Sequence, residues 1–162
     1  MILLKQEWVL QKNKETTMCL SSDLVIMVVD ANEDTLDQSC CSLESLGISK
    51  DKILCVHSFD DAISTINSNH DVDIVLADFE IEDGRNLGTL LCASIKQRIP
   101  GILVILTSKD YSCSVVLDSF KSGAEDILDL KREGEIEKLM EKWIHLAKQR
   151  VITRELIYGK QK

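Results

Sequence analysis

Short apolar runs alternate along this chain with segments whose apolar residues recur every third or fourth position. The runs lie at about 24–29, 53–56, 73–77, 102–106 and 127–130. They read as strands, and the segments between them as helices. Leu36, Cys40, Leu43 and Leu46 share one face of a helix over 33–46, and Gly47 is placed to end it as a C′ glycine. Ser58, with Asp61 three residues on, starts a second helix that ends in the polar stretch 67–70. A polar loop at 80–85 leads to a third helix at about 86–97, and Pro100-Gly101 turns the chain into the fourth strand. A fourth helix starts at Asp110 or Ser112 and closes at Gly123. After Gly134 a long last helix runs over about 135–156. This rhythm predicts an α/β fold: a doubly wound, five-stranded parallel sheet with right-handed crossovers and an extended C-terminal helix. The expected divisions are an N-terminal extension at 1–21, one domain at 22–148, and a helical extension or linker at 149–162.

Candidate chemistry sits where the runs stop. The first ends on Asp30, the third on Asp78, and the fourth on Thr107-Ser108. In an open parallel sheet these positions meet at the carboxyl edge, where such sheets place their ligands. Singly, each residue is also an ordinary cap or turn former; their alignment favours a site. Two carboxylates held together repel unless a cation or proton lies between them. Hard oxygen donors of this kind suit Mg²⁺. Glu82 and Asp83 read as solvated loop residues.

Charge narrows the partners. The net charge of −8 is uneven: residues 22–130 hold 7 Lys and Arg against 20 Asp and Glu, whereas residues 131–162 hold 9 against 5. An acidic domain repels phosphate backbones, so nucleic acid is not an expected partner. No run approaches the roughly 20 apolar residues of a membrane helix, and the N-terminus lacks a secretory signal pattern. A cytoplasmic, membrane-free protein is expected. The six cysteines show no Cys-x-x-Cys spacing. Cys55 and Cys92 fall on apolar faces, as buried thiols do, and disulfides are not expected in a reducing compartment. No Ser/His/Asp or Cys/His arrangement suggests a hydrolase, and no glycine-rich phosphate loop appears.

The order of these motifs resembles the response regulator receiver domain of two-component signalling, the chemotaxis-receiver type, over roughly 22–150. Leu24 to Asp34 resembles the first strand and its acidic pair, and Asp73 to Gly84 the phosphoacceptor strand and loop. Leu103 to Ser108 resembles the strand ending in a switch hydroxyl, and Ser122 to Leu128 the Gly-Ala segment before strand five. The resemblance implies that Asp78 accepts a phosphoryl group, that Asp30, Asp78 and the Glu80 carbonyl hold Mg²⁺, and that Thr107 bonds the phosphoryl group. It implies a histidine kinase or phosphotransfer protein upstream, and a downstream protein on the helix 4–strand 5–helix 5 face.

The sequence departs from that pattern in three places. Ala31 stands where the second acid, the direct metal ligand, is usual; Glu33 and Asp34 are the nearest substitutes. Leu130 stands at the lysine position, with Lys131 one residue later and Arg132 in place of proline. Ile127 replaces the switch aromatic. Missing ligands weaken a hard cation, and the pattern resembles atypical or pseudo-receivers. The expected function is therefore a phosphorelay receiver using Asp78, Thr107 and Lys131. The alternatives are a phosphorylation-independent pseudo-receiver acting as an interaction module, and a flavodoxin-like domain holding a small anionic ligand. Any enzymatic activity is confined to Asp78 itself. Trp143 lies on an apolar stripe with Ile136, Leu139, Met140 and Ala147, while Val151, Ile152 and Leu156 extend past the sheet. That surplus suits a partner helix or a homodimer, or a cis contact with Leu3, Leu4, Trp8 and Leu10.

Overall fold

A computed structural model of the chain describes residues 24–68, 71–82 and 85–158, with side chains to residue 153. The expected 1–21 extension, Asp83, Gly84 and Leu156's side chain lie outside the described residues. Five strands, β1 (Val25–Val29), β2 (Ile53–Val56), β3 (Val72–Asp78), β4 (Leu103–Ser108) and β5 (Asp126–Asp129), form one parallel sheet in the order β2-β1-β3-β4-β5. Five helices alternate with them: α1 (Glu33–Ser45), α2 (Phe59–Ser68), α3 (Leu87–Arg98), α4 (Cys113–Lys121) and α5 (Glu135–Tyr158). A short 3₁₀ turn, Lys50–Lys52, precedes β2. The expected fold class holds: this is the flavodoxin-like, doubly wound sheet of receiver domains, whose strand order reverses between β1 and β3.

Strand alternation builds two cores. Met27, Val29, Val75, Ala77, Val104, Leu106 and Ile127 face α2, α3 and α4, meeting Ile66, Leu91, Ile95 and Val115. Ile26, Val28, Ile74, Leu76, Leu103, Ile105 and Leu128 face α1 and α5, meeting Leu36, Leu43, Met140 and Trp143. Each buried Val, Leu, Ile or Met side chain among them contributes about 1.5–3 kcal/mol. β1 and β4 are buried on both faces, which explains their unbroken apolar runs.

Local signals acted as their chemistry dictates. Gly47 adopts φ +85°, and the Ile48 N–H closes on the Leu43 carbonyl at 3.2 Å, ending α1. Ser58 Oγ accepts the Asp61 N–H at 3.1 Å at the start of α2. Two expectations are corrected. Glu82 is half-buried and accepts the Phe59 N–H at 3.2 Å, so it caps α2 from across the site edge rather than being a bare loop residue. Cys55 is exposed, because β2 is an edge strand of the sheet; Cys92 is buried as expected. Trp143 is buried, with its indole N–H on Asp126 at 3.1 Å, and α5 continues unbroken past residue 149 to Tyr158. Among the described residues no helix is long and apolar enough to cross a membrane.

Candidate functional site

Sheet register decides which side chains meet. Asp30 continues the face of Ile26 and Val28; Asp78 continues that of Ile74 and Leu76; Thr107 continues that of Leu103 and Ile105. Asp78 and Thr107 are direct register partners, and the Phe79 N–H locks on the Thr107 carbonyl at 2.8 Å. All three therefore stand on one face at one edge. A cleft of about 410 Å³ opens there, lined by Asp30, Asn32, Thr35, Asp78, Glu80, Ser108, Lys109, Asp110, Leu130 and Lys131.

The acidic wall is held by backbone. The Asp30 N–H donates to the Val56 carbonyl at 3.1 Å, and its carboxylate accepts the Asn32 N–H at 2.8 Å. Asn32 in turn caps α1, its Oδ1 accepting Thr35 N–H at 3.0 Å. Behind Asp78, α3 comes unusually close: a Cβ on Gly88 would lie 2.2 Å from the Asp78 carbonyl oxygen and 2.8 Å from Phe79 Cα. Only glycine permits that approach, with the Gly88 N–H on the Phe79 carbonyl at 3.1 Å. Sequence reading missed Gly88; its only signal was a glycine inside a helical pattern.

Burial and proximity raise both acids. Asp78 is pushed up to about 6, first by burial and then by Asp30's charge, with the Glu80 N–H offsetting part of the rise. Asp30 is raised by burial, against the pull of the Asn32 N–H, Lys109 and His57. Two carboxylates made costly in this way are the chemistry that a hard cation relieves. Among the described residues no three His, Cys, Asp or Glu side chains gather closely enough to hold a metal by themselves. On the acidic wall Ala31 is exposed and its side chain offers no oxygen. Mg²⁺ keeps several waters and binds through one or two carboxylates, so Asp30, Asp78 and the Glu80 carbonyl fit it as a reduced set.

The opposite wall is rearranged. The β4–β5 register runs without a shift, and the Leu130 N–H follows on to the Ser108 carbonyl at 2.9 Å. No bulge moves Lys131 into the strand position, which Leu130 keeps. Lys131 lines the cleft from the turn instead, where its N–H binds the Asp129 carboxylate at 3.0 Å. Lys109, just past β4, lines the cleft too and acts on Asp30. Sequence reading missed it because it lies beyond the recognisable strand motif. Thr107 is buried beside Asp78, while Ser108 lines the cleft and accepts the Asp110 N–H at 3.0 Å.

Comparison with known proteins gives the fold a class. No family model and no curated protein matches the sequence. A two-component response regulator from Clostridium difficile is 24% identical, with TM-score 0.64, covering 76% of this chain and 96% of that one. A CheY-like receiver domain protein from Methanospirillum hungatei is 19% identical, with TM-score 0.67, covering 82% and 99%. An atypical orphan response regulator with a phosphorylation-independent regulatory mechanism is 15% identical, with TM-score 0.62, covering 78% and 96%. The chain thus has the receiver-domain fold, shared with typical and orphan regulators alike.

Proposed function

We propose that this protein is a cytoplasmic receiver of a phosphorelay, accepting a phosphoryl group on Asp78 from a histidine kinase or phosphotransfer protein. The supporting observation is the convergence of Asp78, Asp30 and Thr107 on one face of one sheet edge, over a cleft large enough for the reacting group. A carboxylate oxygen of Asp78 attacks phosphorus in line as the donor's bridging oxygen or nitrogen leaves. Asp78 must be ionised to do so, and with its pKa near 6 it is largely charged at pH 7.5. Thr107 Oγ1 donates to a phosphoryl oxygen, and Lys131 and Lys109 offset the charge that builds up. Mg²⁺, held by Asp30, Asp78 and the Glu80 carbonyl, would supply neutralisation of the phosphoryl oxygens. The acyl phosphate so formed biases Thr107 and the α4–β5–α5 surface toward a downstream partner. Exposed Leu117 and Phe120 on α4 supply an apolar contact there.

The reduced ligand set favours one second reading, a pseudo-receiver that engages its partner without phosphorylation. The test is incubation with millimolar Mg²⁺ and acetyl phosphate, or beryllofluoride as mimic. Under the first reading one hydroxylamine-sensitive phosphoryl group appears on the wild type and none on Asp78→Asn. An unmodified wild type that nonetheless binds its partner supports the second.

A further inference from the structure

The Sγ atoms of Cys40 on α1 and Cys55 on edge strand β2 lie 3.0 Å apart, at a half-buried and an exposed position. A disulfide needs about 2.05 Å, so about 1 Å of approach closes the bond. The segment joining them supplies that slack: Gly47, Ser49, Lys50 and Asp51 are exposed, and a single 3₁₀ turn is the only regular element between α1 and β2. Unlike the buried Cys92, which packs among apolar residues, this pair can be reached from solvent.

We propose that Cys40 and Cys55 are a reversible thiol–disulfide site, reduced at rest and closed by low-molecular-weight disulfides such as oxidised glutathione. The Cys55 thiolate, the exposed partner, attacks the small disulfide, forming a Cys55 mixed disulfide and releasing one thiolate. Cys40 then gives its proton to water and attacks Cys55 Sγ, forming the intramolecular bond and expelling the second small thiolate. Two protein thiols are oxidised and one small disulfide is reduced to two thiols. Burial and the neighbouring Cys55 sulfur push the Cys40 thiol up to about 12, which keeps it protonated and leaves the first attack to exposed Cys55; the closing step rests on the 3.0 Å proximity of the two sulfurs. The closed bond ties α1 to β2 on both sides of Asp30, because Asn32 caps α1 and the Val56 carbonyl holds the Asp30 N–H. It uses no residue of the acidic cleft, so it stands whether or not Asp78 is phosphorylated.

The experiment is a titration of the whole chain with reduced and oxidised glutathione, followed by alkylation of free thiols under native conditions and peptide mapping. The expected result is loss of Cys40 and Cys55 alkylation in parallel, a Cys40–Cys55 linked peptide, and full recovery with dithiothreitol. Cys40→Ser should accumulate glutathione on Cys55, whereas Cys55→Ser should leave Cys40 unmodified over the same time. Oxidation that spares both thiols, or that joins chains through Cys41 or Cys113 while Cys40 and Cys55 stay alkylatable, overturns the proposal.

Discussion

The two walls of the cleft were built by different means. Asp30 and Asp78 stand at strand ends, one buried and one half-buried, fixed by register and by backbone hydrogen bonds. Lys109 and Lys131 stand on exposed turns past β4 and β5, reaching the cleft from outside the sheet. A strand end places a charge rigidly but desolvates it, so the acids rise in pKa. A turn leaves a lysine solvated and loosely aimed. The acidic wall can therefore position a reacting group, while the basic wall supplies little more than a favourable potential. Under the proposed phosphoryl transfer only Asp78 must meet phosphorus in line, so the cations can stand on loops more readily than the acid.

The largest test of this asymmetry is Asp78→Asn, expected to abolish acetyl-phosphate labelling completely, whereas Lys131→Ala should slow it and leave it measurable. Next comes the packing behind the acidic wall. Gly88→Ala places a methyl against the Asp78 carbonyl, and urea unfolding should show a loss of about 3 kcal/mol. An unchanged midpoint would mean that α3 is free to retreat.

Removing the acid with the raised pKa should act in the opposite direction and by less. Asp78 binds its proton more tightly folded, near pH 6, than unfolded, near 3.8. Its contribution is thus fully present below about pH 4 and is lost as pH rises through about 6. Without divalent cation, Asp78→Asn should stabilise the protein at pH 7.5 by about 1–2 kcal/mol, allowing for partial solvent access, and should flatten the pH dependence between 4 and 7. Ala31→Asp, which restores an oxygen to the acidic wall, should tighten Mg²⁺ about tenfold, about 1.4 kcal/mol, as read by calorimetry. Smallest is Lys109→Ala, expected to raise the pH midpoint of that stability profile slightly through Asp30 while leaving labelling nearly intact. If Lys109→Ala cost as much labelling as Asp78→Asn, the contrast between the walls would fail.

Much of the acidic wall was legible because strand ends announce themselves. An apolar run that stops on Asp30, Asp78 or Thr107 carries its own register, and alternation then places all three on one face. The basic wall was not legible in the same way. Lys109 and Lys131 follow no periodicity, and whether Lys131 slips into the strand depended on a bulge that the β4–β5 pairing lacks. Cys55 was misjudged for a related reason. Alternation assigns it a face but does not say that β2 is the sheet's edge, where the side chain stays open to solvent.

Residue order alone determined the class of fold, because period two against period 3.6 and the glycine stops are local properties that each segment carries wherever it goes. It also determined the acid and hydroxyl at the strand ends. Tertiary structure decided the rest: which strand lies outermost, how close α3 comes to Asp78, which lysines reach the cleft, and that two thiols 15 residues apart sit within 3.0 Å. Those are distances between elements, and they follow from how whole faces pack against one another rather than from any one segment's pattern.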